Sequence, residues 1–249
     1  MLVLLFALAA VSAVRGMWSP CGLSMLSTLN PVSEHARGHR FWATACWYIV
    51  GAVVGGALLG LGSAVLAAVF GSMDAPSPVA WSLALGGAFV AVLSDARVGA
   101  WSLPLHPRQV DERWVDRYRR WLYASGYGVQ IGAGFATYVM TAGVYLVALL
   151  AVLTGSPLHA FAGGVAFGLV RGMCIVVAAG ARTPDSLRQT IRRVDAWAGA
   201  SALVAAGACA GVGVVAAWQL SGIPFAGALA LAFVALLTYS SRAGVTRTA

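Results

Sequence analysis

Lysine is absent from the sequence, and only eight of its 249 residues are acidic. All sixteen basic residues are therefore arginine, and the net charge is +8. Charged residues make up 10% of the chain, against about 25% in an ordinary soluble domain. That shortage argues against a water-exposed globular surface. No Cys-x-x-Cys pair occurs, which removes zinc-ribbon and thioredoxin-type motifs. No phosphate loop, dinucleotide fingerprint or Ser-His-Asp pattern is present either. No cofactor and no metal are expected.

What the chain has instead is apolar length. Hydrophobic residues reach 60%, and they fall in runs too long for one buried core. A run of about 18 or more apolar residues reads as a membrane span. About seven such stretches can be marked: 2–28, 41–70, 78–101, 126–154, 158–181, 197–218 and 222–241. Gly and Ala are frequent in them, as in closely packed membrane helices. The expected fold is an all-α polytopic membrane helix bundle, a single domain over residues 1–249. Residues 2–14 could be a secretory signal ending at Val11-Ser12-Ala13, but they lack a positive leading region. The reading adopted is the start of the first span.

Arginine position orients the bundle. Arg37 and Arg40 lie in 29–40, five arginines in 102–125, four in 182–196, and Arg242 and Arg247 in the tail. With seven spans all of these share one side. The other side (71–77, 155–157, 219–221) has no arginine and one acid, Asp74. Positive charge marks the cytoplasmic face, which puts the N-terminus outside and the C-terminus inside a bacterial cytoplasmic membrane. This layout explains the basic balance without a nucleic-acid partner.

Segment 103–123 stands apart. Trp114, Tyr118 and Trp121 recur at helical spacing, flanked by Arg113, Arg117 and Arg120. The pattern predicts an amphipathic helix over 107–122 lying on the inner leaflet, with membrane lipids or a docked partner against it. Leu187, Ile191 and Val194 suggest a shorter helix of the same kind after Thr183-Pro184.

A weak internal repeat joins the candidate site residues. Arg15-Gly16-Met17 leads to Cys21 and Pro31; Arg171-Gly172-Met173 leads to Cys174 and Pro184. In both copies the proline follows the cysteine by ten residues. An isolated arginine at mid-span costs at least ~2.5–3.5 kcal/mol, so each must meet protein, water or a counter-charge. Asp95, the one acid inside a span, is a candidate partner. Two readings of Arg15 and Arg171 stand. They bind an anion or stabilise a thiolate, or they bond to carbonyls of a broken helix. Pro20 and Gly22 bracket Cys21 and weaken the helix there, which favours a broken span lining a cavity. Cys46 and Cys209 read as packing residues. Glu34, His35 and His39 read as a solvated turn rather than a metal site.

Ser19-Pro20-Cys21-Gly22-Leu23, followed by Asn30-Pro31, resembles the first cysteine motif of the CcdA/DsbD membrane thiol reductants, within a wider LysE/TauE-type exporter group. The resemblance covers roughly 1–40 and 160–190. It implies a thiol–disulfide relay, of the kind used in cytochrome c biogenesis, with Cys21 and Cys174 as the catalytic pair. A cytoplasmic thioredoxin-like protein would then be the electron donor. The alternatives are an exporter of a small solute, anionic if Arg15 and Arg171 line its site, and a non-transporting scaffold subunit docking through 107–122.

Overall fold

The computed structural model describes residues 1–74, 76–96, 113–135 and 139–245, without the side chains of 116 and 239–245. Every regular element among them is helical. Helix α1 (Leu2–Arg15) runs through a short 3-10 turn (Gly16–Trp18) into α2 (Pro20–Thr28) at a bend of 68°. Then come α3 (Pro31–Ala36), α4 (Phe41–Ser72) and α5 (Ser77–Asp95). The middle of the chain holds α6 (Trp114–Arg117), α7 (Arg120–Gly132) and α8 (Gly143–Leu153). Helix α9 (Pro157–Met173) continues as a 3-10 segment (Cys174–Gly180) before α10 (Pro184–Ala196), α11 (Ala198–Ser221) and α12 (Ile223–Val245).

Four helices are long and apolar enough to cross a membrane: α4, α5, Pro157–Gly180 and α11. The bent pair α1–α2 is a fifth if its two limbs count as one span. The described residues are thus all-helical, with several helices able to cross a membrane, and not every apolar stretch marked in the sequence is one continuous helix. Stretch 126–154 divides into α7 and α8. Gly134 between them adopts φ +72°, a left-handed conformation that a helix does not contain. Helix α8 and the Ile223–Thr238 part of α12 are shorter apolar helices.

Helix α4 is the centre of the bundle. It contains no proline over 32 residues and packs on α9 and α7. Both seams are made of glycine. Gly56 and Gly60 meet the α9 backbone at Gly164, Gly168 and Phe161, while Gly51 and Gly55 meet the α7 backbone at Ser125 and Val129. Gly128 and Gly132 return the contact against Tyr48 and Ala52. A Cβ at any of these positions would run into main-chain atoms. Small residues every four positions let two helix backbones touch, and van der Waals contact then replaces the hydrophobic drive that lipid cannot supply. Two apolar clusters result. One joins α1, α5, α8, α9 and α11; the other lies among α2, α4, α7 and the Cys174–Gly180 segment.

The amphipathic helix expected over 107–122 is not continuous. Residues 97–112 lie outside the described part. Beyond them, α6 ends at Arg117, and Tyr118 is extended (φ −119°, ψ 160°). At this break the Tyr118 ring turns back on Trp114, edge to face at 5.5 Å. Trp114 faces Gly126 and the second cluster, whereas Tyr118, Trp121, Arg113 and Arg117 are exposed and Arg120 is half-buried. Helix α10 matches its expectation. Thr183 and Ser186 form a capping box around Pro184 at the first helical position, and Val194 is the buried end of the apolar stripe.

Candidate functional site

The repeat is visible as two interrupted arms. In the first, Ser19 caps α2 by accepting from the Gly22 amide at 3.1 Å, with Pro20 at the first helical position. In the second, the α-helix tightens to 3-10 at Cys174. Each arm then restarts on its proline behind a polar cap. Asn30 Oδ1 accepts from Ser33 N at 3.0 Å, and Thr183 Oγ1 accepts from Ser186 N at 3.2 Å. A proline lacks the amide that a helix start leaves unpaired, and Asn or Thr satisfies those behind it. The sequence pattern around Cys21 is thus accounted for by a capped helix start.

Arg171 joins the two arms. Its guanidinium donates to Ala13 O at 3.0 Å and to Ser19 Oγ at 3.4 Å. It lies on the face of Gly16, where a Cβ would overlap it. The Ala13 carbonyl is free to accept because α1 gives way to the 3-10 turn. The buried charge is therefore met by the orphaned main chain of a broken helix. Arg15 instead bonds to the first turn of α11. It donates to Ser201 Oγ at 2.8 Å and Ala198 O at 3.2 Å at the start of α11, with its charge over the Trp18 ring at 5.9 Å. Asp95 pairs with neither arginine among the described residues. It accepts from Thr141 Oγ1 and from Ala142 N at 2.7 Å, fastening the entry to α8.

Cys21 is buried and Cys174 packs against the same cluster, beside Tyr48. None of the four cysteines is in a disulfide among the described residues, with Cys46 exposed and Cys209 buried. The Cys174 thiol donates to Val170 O at 3.4 Å. The Tyr48 hydroxyl is buried with no hydrogen-bond partner among the described residues, whereas Tyr127 bonds to Ser24.

A second polar centre was missed in the sequence. Glu34, expected in a solvated turn, is fully buried. Its carboxylate accepts from Arg37 at 2.9 Å, from Thr44 Oγ1, and from the single Tyr123 hydroxyl, which lies 3.0 and 3.1 Å from its two oxygens. His39 Nδ1 stands 3.6 Å away and His35 is exposed. Among the described residues no group of three His, Cys, Asp or Glu side chains could hold a metal. A carboxylate in the first turn of α3 was the one local signal; Tyr123 arrives from 89 residues away.

Burial, then the Glu34 charge and hydrogen bond, pushes the Tyr123 phenol up to about 12. A phenol in water ionises near ~10. The folded state thus favours the protonated form. Its contribution to stability is complete below pH ~10 and is lost between about 10 and 12. An alkaline titration read by tyrosinate absorbance should show a step near 12 that is lost in Tyr123→Phe. Titration of every phenol near ~10 would contradict this.

Comparison with known proteins gives a consistent set of relatives. The chain is 32% identical over 206 residues to "Methylamine utilization protein MauF" of Paracoccus denitrificans, covering 78% of this chain and 69% of that protein. It is 31% identical over 194 residues to the protein of the same name in Paracoccus versutus, covering 73% of this chain and 64% of that one. The Methylophilus methylotrophus protein is 32% identical over 181 residues. The chain thus spans about two thirds of the length of these relatives. No family model and no solved structure matches it. These relatives overturn the CcdA/DsbD resemblance, and with it the thiol–disulfide relay, the cytochrome c biogenesis reading and the solute exporter. The motif Ser19–Leu23 was too short to carry a family.

Proposed function

The chain belongs to the family of the methylamine utilization protein MauF, and on that premise we propose that it is a membrane-embedded accessory component of methylamine utilization. The relation to MauF proteins across 78% of the chain carries this reading. The site geometry is compatible with it. Arg171 donates from both terminal nitrogens to Ala13 O and Ser19 Oγ, and Arg15 donates from Nη1 to Ala198 O and Ser201 Oγ, so both tie helices together.

In this reading the chain resides in the bacterial cytoplasmic membrane. Counting the bent α1–α2 arm, the broken α7–α8 pair and α12 as one crossing each adds three to the four long spans. That total supports seven crossings, with the arginine-rich connections and C-terminus inside. Deleting the gene in its own host is expected to abolish growth on methylamine as sole nitrogen source, with growth on ammonium unchanged. Wild-type growth of the deletion strain on methylamine would refute the assignment.

A further inference from the structure

A cavity borders α1 and α11 beside α10, lined in part by Arg15, Met17 and Trp18 at the end of the first arm. It holds about 550 Å³. Its walls are aliphatic, from Val11 and Val14 on α1 and Val204 on α11. Val14, Val204 and Trp197 are exposed (41%, 60% and 66%), so the cleft opens sideways where the bundle meets its surroundings. For helices that cross a bilayer those surroundings are lipid.

The cleft is not uniformly apolar. Arg15 and Arg193 both line it. No carboxylate among the described residues pairs with either. Arg188, by contrast, is matched to Asp185 at 3.0 Å. Trp18 anchors the floor, donating from Nε1 to Val194 O at 2.6 Å. Trp rings belong at headgroup depth. An apolar slot ending in two guanidiniums without a contacting carboxylate, Arg15 with Nη1 on Ala198 O and Ser201 Oγ and Arg193 exposed, has the complement of a phospholipid: a hydrocarbon chain and a phosphate.

We propose that this cleft is a binding site for an anionic phospholipid of the surrounding bilayer, one acyl chain lying between α1 and α11 and the phosphate held by Arg15 and Arg193. Guanidinium is suited to phosphate because it offers paired donors in one plane. Basic pockets between membrane helices take anionic headgroups for the same reason.

The test uses the full chain in nanodiscs containing phosphatidylglycerol and phosphatidylcholine, followed by native mass spectrometry of lipid retained on the protein. Wild type should retain phosphatidylglycerol selectively. Arg193→Ala should weaken that retention about fivefold, the worth of one basic contact at a membrane surface. Val204→Trp should fill the slot and displace lipid of either headgroup. Both positions are exposed, and thermal melting should confirm that both variants fold. Inorganic phosphate added in excess should not displace the lipid, since the chain supplies part of the binding; displacement would show a simple phosphate site instead. Equal retention of both lipids by wild type, or retention unaffected by either substitution, would overturn the proposal.

Discussion

Arg171→Ala should destabilise the protein by about 3 kcal/mol and lower its melting temperature in detergent by roughly 6–12 °C. The substitution removes two charge-assisted hydrogen bonds, to Ala13 O and Ser19 Oγ. It also leaves that carbonyl without its donor in the bundle interior, where no water replaces it. Arg171→Lys should recover only part of the loss. An ammonium is a point donor on a flexible stem and does not reproduce a planar fork reaching two acceptors. A variant that melts with the wild type would show that the guanidinium is not holding the arms together. In the host, Arg171→Ala should reduce growth on methylamine in step with the protein's abundance in the membrane.

Gly164→Leu should be more damaging still, above about 3 kcal/mol, and should leave little folded protein in the membrane. Any side chain there meets the Gly60 and Gly56 main chain. Backbone cannot rotate away as a side-chain tip can, so α4 and α9 must separate along the seam. Gly62→Ala, on the facing helix α4, supplies the contrast. Nothing lies within 4 Å of its Cβ position, and exchanging a helical glycine for alanine is worth up to about 1 kcal/mol in favour of the variant. Membrane abundance and melting temperature of the pair separate packing from mere composition. If Gly164→Leu is tolerated as well as Gly62→Ala, the glycine seam is not what joins these helices.

The membrane class was legible in the sequence because it depends on length and apolar content, which are sums over many residues. The repeat was legible for a similar reason. Its prolines and caps are local, and both arms restart where Asn30-Pro31 and Thr183-Pro184 stand. Number of spans was less so. A hydrophobic run does not reveal that Gly134 turns left-handed or that the chain bends 68° at Ser19. Partners of charged residues were the least legible. Arg171 reaches back 158 residues to Ala13, and Asp95 forward 47 to Ala142. Such pairings are set by how the helices stack, so the arginine–aspartate match that charge alone suggested did not form. Glu34 shows the same limit, since a turn with Arg37, His35 and His39 reads as solvated until Tyr123 and Thr44 close over it. The cysteine motif misled for the opposite reason. Ser19-Pro20-Cys21-Gly22 looks like chemistry, yet its serine, proline and glycine start a helix.

The central claim is that the Arg171 guanidinium occupies a seat on Gly16 and so locks one arm to the other. A double-mutant cycle in melting temperature tests it directly. Gly16 has ordinary helical dihedrals (φ −64°, ψ −11°), so Gly16→Ala adds a methyl group without backbone strain. Alone it should lower stability by more than about 1 kcal/mol, because the methyl group competes with the guanidinium for one space. Combined with Arg171→Ala it should cost nothing further, since the space is then vacant. The two losses would fail to add by at least the cost of Gly16→Ala itself. Simple addition of the two losses would contradict the account.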